Sequence, residues 1–429
     1  MVAKAGVDGS AEKALFGQLS YYPQALGMAC CVMAVVAVLP GMPHVVFALL
    51  SSAAGGLAYL AWRGKETGRL EVARQDAIKA AESPPEDEPI ASALALDLLR
   101  VELGYGLLPL INDTKGHRVT DQIRALRRQI ASEMGFVMPA VRILDNMQLG
   151  ANEYVIRVKE VESGRGELRP GNLLAMDPKG NALDLPGAHT VEPAFGLPAL
   201  WIDQSLREEA SFRGLTVVDP GTVLTTHLTE VLKTHMAELL SYAETKKLLD
   251  DLAPEHKKLV EELMPAQISV SGVQRVLQTL LNERVSIRDL PSILEGIAEA
   301  VGHTKNAMLI AEHVRARLSR QLCHQHLGPQ GVLPLVAMSP AWEQAFAESL
   351  TGGEERQLAM APSQLQAFIQ AVRERFDDAA NRGEIPVLLT SPLIRPYVRS
   401  IIERFRPQTT VMSQNEIHPS VRLRTLGQI

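Results

Sequence analysis

Thr190-Val191-Glu192-Pro193-Ala194-Phe195-Gly196-Leu197, followed by Trp201-Ile202, sets a bulky aromatic on a turn bounded by Pro193 and Gly196. It sits inside the longer stretch Val155–His227, in a chain whose aromatic content is only 4%. A Phe beside a Pro either packs in a core or anchors a partner, and the residues alone leave both open. The flanks decide the fold.

Upstream, the apolar positions Ile123, Leu126, Ile130 and Met134 recur at helical spacing over Val119–Met134, with Arg124, Arg127 and Arg128 on another face and Gly135 at the C-terminal stop. Gly104–Ile111 has the look of a strand entry, and Val141–Leu144 and Tyr154–Val161 alternate as half-buried strands, with Gly164-Arg165-Gly166 as a join. The order strand, helix, strand, strand is that of a split-βαβ, RNA-recognition-like unit. Residues 172–214 are rich in turns and read as a small inserted subdomain. Leu215–Val218 is a strand, and Asp219-Pro220-Gly221 opens a long helix over Thr222–Tyr242, so that 94–171 and 215–240 form subdomain 1 around the insert. Thr226 and His227 fall in the first turns of that helix.

Residues 241–328 are helical throughout, with Asp289 capping Leu290–Val301 and Ala307–His326 as the last helix. Residues 329–429 alternate strands (Val332–Met338, Pro386–Thr390, Thr409–Ser413, Val421–Leu426) with helices and read as an α/β unit. The fold class expected is thus multidomain α+β: the split-βαβ unit, the insert, a helical subdomain and a C-terminal α/β unit.

At the front, Ala25–Leu39 and Val45–Trp62 are uncharged runs, near the lower limit of about 17 residues for crossing a bilayer. Positive charge stands outside both, at Lys4, Lys13, Arg63, Lys65 and Arg69, and none stands in the turn Pro40–His44. That pattern predicts a transmembrane helical hairpin over 23–63 with both ends in the cytoplasm, after an N-terminal segment 1–22. Residues 64–93 follow as a helical stalk and the stiff acidic linker Ser83–Pro89. Ile90, Leu94 and Leu96 come at once after it, a spacer's end or a docking segment.

The net charge of −6 and scarce aromatics argue against nucleic acid. Three cysteines, two of them adjacent, imply no disulfide framework. No phosphate loop or nucleophile elbow occurs, and Cys323, His324 and His326 diverge around a helix, so neither metal, cofactor nor catalysis is expected.

Several segments together resemble the FHIPEP family of flagellar and type III secretion export-gate proteins. They are Leu39–Pro43, Leu103-Gly104-Tyr105, Gly135 with Pro139, Asp145-Asn146, Thr190–Gly196, Thr225–Leu228, Val285–Asp289 and Ser413–Ile417. Val158-Lys159-Glu160, Glu167–Gly171 and Asn415-Glu416-Ile417 resemble its flagellar branch; an injectisome homologue and a purely structural ring scaffold are the alternatives.

The resemblance implies a multi-pass inner-membrane protein whose cytoplasmic region forms a nonameric ring. In the family that ring docks export chaperones with their substrates, meets the export ATPase stalk and other gate membrane subunits, and supports export driven by the proton motive force. It places Glu192, Phe195 and Thr226 in the chaperone-binding groove between the first two subdomains, Glu192 standing where Asp is common, and makes Gly104 a structurally sensitive glycine. Ile90 stands where an aromatic docking residue can occur. Family members carry further membrane helices ahead of this point, which implies a piece of a longer protein.

Overall fold

The computed structural model describes residues 96–112, 119–178, 183–352 and 356–429, with isolated helical positions between Cys31 and Gly56. The chain divides into two units, 1–95 and 96–429. In the first, Val45, Val46, Leu49 and Leu50 are helical and exposed. The rest of the expected hairpin, the stalk, Ile90 and Leu94 lie outside the described residues. Among the described residues no helix is long and apolar enough to cross a membrane. Leu96 is exposed.

The second unit is mixed α+β. Its first sheet has the order β2-β1-β3-β4, formed by β1 (Leu99–Leu103), β2 (Arg142–Asp145), β3 (Glu153–Val158) and β4 (Val161–Glu167). β1 pairs parallel with β2 and antiparallel with β3. Helix α1 (Val119–Met134) buries Val119, Ile123, Leu126, Ile130 and Met134, the stripe its spacing predicts. Gly135 ends it at φ +68, where a side chain would collide with the backbone of Arg288.

Three expectations for this unit need correction. Gly104 does not open a strand: β1 ends at Leu103, and Gly104 caps the 3-10 turn Tyr105–Leu107. Tyr154–Val161 is not one strand, because Lys159 and Glu160 both take positive φ and form a two-residue hairpin turn. Gly164 and Gly166 lie within β4; side chains there would run into His227 and Tyr154.

The inserted sheet has the order β6-β7-β5-β8, built from β5 (Leu173–Met176), β6 (Ala188–Val191), β7 (Pro198–Ile202) and β8 (Thr216–Val218). β8 pairs with β5, so the strand expected to return to subdomain 1 belongs to the insert, and the chain leaves that sheet at Asp219. Strand alternation gives the sheet two faces. Leu174, Ala199 and Trp201 join the large core of the first sheet, while Leu173, Ala175, Leu200 and Ile202 pack with Ala210 of helix α2 (Arg207–Phe212).

Helix α3 (Pro220–Leu239) starts where Asp219 accepts the Thr222 amide, with Pro220 in the first turn. It ends at Leu239, because Ser241 caps the next helix, α4 (Tyr242–Asp250). Then follow α5 (Pro254–Leu263), α6 (Val270–Asn282), α7 (Leu290–Val301), α8 (Ala307–Arg317) and α9 (Ser319–Gln325). The expected single helix 307–326 is interrupted at Leu318.

The C-terminal sheet is parallel in the order β13-β12-β9-β14, from β9 (Val332–Ala337), β12 (Val387–Thr390), β13 (Val411–Ser413) and β14 (Arg422–Gln428). β10 (Leu350–Thr351) and β11 (Gln357–Leu358) add a small hairpin. Helices α10 (Pro340–Glu348), α11 (Pro362–Asn381) and α12 (Arg395–Ile402) complete the unit. Phe346 and Trp342 meet Phe368 edge-on at 4.9 and 5.4 Å between ring centres.

Where the helical and C-terminal units meet, Arg315, Arg395 and Glu416 are buried. Arg395 binds Glu283 through two hydrogen bonds of 2.6 and 2.7 Å and also holds Glu312. Arg315 reaches Glu416 at 2.6 Å and Glu283 at 3.1 Å. Burial alone would raise the Glu283 carboxyl, but Arg315 and Arg395 outweigh it and bring its pKa to about 2. For Glu312 burial wins over Arg395, and its pKa rises.

Candidate functional site

The β6–β7 connection presents Phe195. The Glu192 amide donates to the Leu197 carbonyl at 2.8 Å, and the Gly196 amide donates back to the Glu192 carbonyl at 2.9 Å. Gly196 sits at φ +71, a conformation glycine adopts without strain. Pro193 has no amide proton. The two remaining donors, Ala194 and Phe195, bond to the two carboxylate oxygens of Glu192 at 2.9 and 2.7 Å. The Glu192, Ala194, Phe195 and Gly196 amides thus have partners within the turn, while the Phe195 side chain points outward at 54% exposure and Val191 at 63%. Glu192 itself is only 2% exposed.

Below the loop lies a buried polar pair that the sequence reading missed. The Tyr154 hydroxyl donates to His227 Nδ1 at 2.8 Å, with the rings edge-on at 5.8 Å. Burial pushes the His227 pKa down, so its neutral ring accepts the proton. Burial first, and the Glu192 charge second, push the Tyr154 phenol up, which keeps it a donor. Gly164 and Gly166 are the sequence signal that was available, two glycines spaced to clear these two rings.

Glu192 and Phe195 therefore share one turn. Thr226 is half-buried on α3, next to His227. Gly104 serves packing instead: its amide donates to Glu153 O at 2.8 Å, and a Cβ there would lie 2.7 Å from Ala151 O. A cavity of about 640 Å³ between Leu110, the inserted sheet and the start of α3 is lined by Leu110, Leu173, Arg207, Val218 and Asp219, and Glu192, Phe195 and Thr226 are not among its walls. A larger one, about 1120 Å³, is lined by Lys233, Arg284, Arg288, Arg320, Glu133 and Asp289 among others. The Cys323 thiol is buried and donates to Glu416 O at 3.2 Å, and no group of three or more metal-ligating side chains occurs among the described residues.

The 96–429 unit is thus a mixed α+β protein that presents an exposed aromatic, Phe195, on a closed turn. Residues 1–422 match the FHIPEP family, and the chain belongs to it. It is 59% identical to the flagellar biosynthesis protein FlhA of Caulobacter vibrioides over 431 residues, covering 100% of this chain and 61% of that protein. It is similar to the Chlamydia pneumoniae CdsV protein at 25% identity, with a TM-score of 0.71 over 81% of this chain and 99% of that one. The nonameric EPEC SctV-C shares the fold at 20% identity and a TM-score of 0.65, over 78% of this chain and 99% of that one. The chain spans about six tenths of the length of the curated relatives it matches.

Proposed function

We propose that this chain is part of the export gate of a flagellar type III secretion apparatus, a non-enzymatic component anchored in the bacterial inner membrane. Its 96–429 unit docks export chaperones carrying their cargo and supports export driven by the proton motive force. Family membership over 1–422 supports the apparatus, and the flagellar name of the Caulobacter relative supports the branch. Other gate membrane subunits and the export ATPase stalk are the further partners this reading expects.

The observation that carries docking is Phe195, more than half exposed on a turn whose Glu192, Ala194, Phe195 and Gly196 amides are bonded internally. An exposed, preorganised aromatic loses little entropy on binding and is a typical hot spot. In Phe195→Ala, affinity for a cargo-loaded flagellar chaperone should fall by about 2 kcal/mol, roughly 30-fold. Titration calorimetry measures it, and an unchanged affinity would sink the assignment.

A second reading makes the Phe195 region a contact between copies in a structural ring. It is favoured by the nonameric assembly of EPEC SctV-C, whose fold this chain shares. Sedimentation separates the two. Under the scaffold reading Phe195→Ala loses the ring and keeps chaperone binding; under docking it does the reverse.

A further inference from the structure

We propose that the seam between the helical and C-terminal units binds a small inorganic anion of the chloride class, held by the buried guanidiniums of Arg315 and Arg399. A cavity of about 190 Å³ lies there, lined by Glu283, Arg284, Arg315, His326, Arg399 and Thr410 among others. Arg315 comes from α8, Arg399 from α12, and Thr410 directly precedes β13. Three cations thus stand in this wall against one carboxylate.

Most of that charge is already matched. Glu283 accepts Arg315 at 3.1 Å and both terminal nitrogens of Arg395. Glu416 takes the other end of Arg315 at 2.6 Å, and Arg284 reaches Glu230 at 3.2 Å. Arg399 is different. Its terminal nitrogens donate to backbone carbonyls, Thr409 O at 2.7 Å and Pro407 O at 3.4 Å. The carboxylate beside it, Glu403, stands 3.9 Å off with its side chain 47% exposed.

The Nε–H groups of Arg315 and Arg399 have no acceptor among the described residues, although the two side chains are only 1% and 8% exposed. A buried donor without an acceptor is costly, and more so on a charged group. Burial draws the Arg399 pKa down further than Glu283 and Glu403 raise it, and Arg395 and Arg315 add to the fall. This cation is short of negative charge as well as of an acceptor. A water molecule supplies only the acceptor, whereas an anion supplies both. His326, held neutral by burial first and by Arg315 second, adds a ring N–H to the same wall. Because the donors come from α8 on one side and α12 on the other, occupancy ties the two units together.

The experiment uses the full chain in detergent micelles at neutral pH. Chloride is the probe, exchanged against gluconate, a bulky organic anion, at constant ionic strength. The melting midpoint of the 96–429 unit should rise saturably, by about 2–4 °C over roughly 1–100 mM chloride. Chloride NMR should show line broadening that saturates over the same range. Arg399→Lys keeps a cation but loses the Nε donor, so half-saturation should move up by about 10-fold or more. Thr410→Asp sets a carboxylate in the cavity wall and should abolish both responses, while the neutral Thr410→Asn should keep them. That pair decides the matter even where Arg399→Lys folds poorly. A midpoint indifferent to the exchange of gluconate for chloride overturns the proposal and leaves a hydrated cavity. Responses that survive intact in Thr410→Asp overturn it too, since the ion then binds elsewhere.

Discussion

Gly104 shows how little room a single residue can have. Its Cα faces the backbone of Gly150 and Ala151, and a methyl group there would overlap the Gly150 carbonyl oxygen. A flexible side chain could turn away, but these backbone carbonyls cannot, since Gly150 O accepts the Glu153 amide and Ala151 O the Gly106 amide. Gly104→Ala should therefore destabilise the 96–429 unit by about 2–4 kcal/mol, through overpacking against backbone. Its melting midpoint would fall by several degrees, whereas Gly171→Ala, with open space around the glycine, would test only its φ of +89. Equal losses in the two variants would show that collision is not the cause. The resemblance named Gly104 as sensitive, but composition and spacing alone placed it in a strand entry. The reason for its sensitivity lies some 50 residues away in sequence, beyond the reach of local pattern.

At the scale of elements, legibility follows how local the cause is. Helix starts were readable because their caps are local: Asp219 and Asp289 accept amides three residues on. The Lys159-Glu160 turn was hidden because two-residue hairpins usually announce themselves with Asn or Gly. The membership of β8 was hidden too, since pairing with β5 across some 40 residues leaves no mark in either strand's alternation. Least readable was the buried charge cluster, whose members Glu283, Arg315, Arg395 and Glu416 come from four separate segments.

That cluster sets a pH dependence. Glu283 has a folded-state pKa of about 2, below its ordinary 4.5, so the folded chain holds this proton less readily than the unfolded one. Its stabilisation is complete above pH 4.5 and is lost as pH falls towards 2. Glu312 is shifted upward and works with the opposite sign, favouring the fold in acid and losing that contribution as pH rises. Melting curves from pH 7 down to about pH 3 should show a falling midpoint, and Glu283→Gln should flatten that slope while lowering stability at pH 7. A variant slope as steep as the wild type would place the acid sensitivity elsewhere.

The whole 96–429 unit is knit by one core that runs from Leu99 in β1 through Leu228, Leu277 and Val314 to Leu333, Val387 and Met412 in the C-terminal sheet. A second core, with Met338, Phe346, Phe368 and Val398, belongs to the C-terminal unit alone. Contacts of the first kind make unfolding cooperative across the three four-stranded sheets and the helices between them, so calorimetry of residues 96–429 should give one transition. The join between the two cores is where that cooperativity is vulnerable, because there the apolar continuity is supplemented by buried ions. Arg395 is 1% exposed and neutralises Glu283 and Glu312 at once. Replacing it by Met keeps most of the volume but leaves two carboxylates without their shared cation, a change that typically costs about 3–5 kcal/mol. Glu312, whose carboxyl is already pushed towards its neutral form, can take up a proton and absorb part of that cost. Glu283 retains Arg315 at 3.1 Å and stays charged, so the loss falls on the seam and not on either core. In Arg395→Met the single transition should split, with the C-terminal unit melting first and the β1–α9 region keeping a midpoint close to the parent. A single transition shifted down as a whole would mean that the apolar core alone carries the coupling and that the ion cluster contributes only stability.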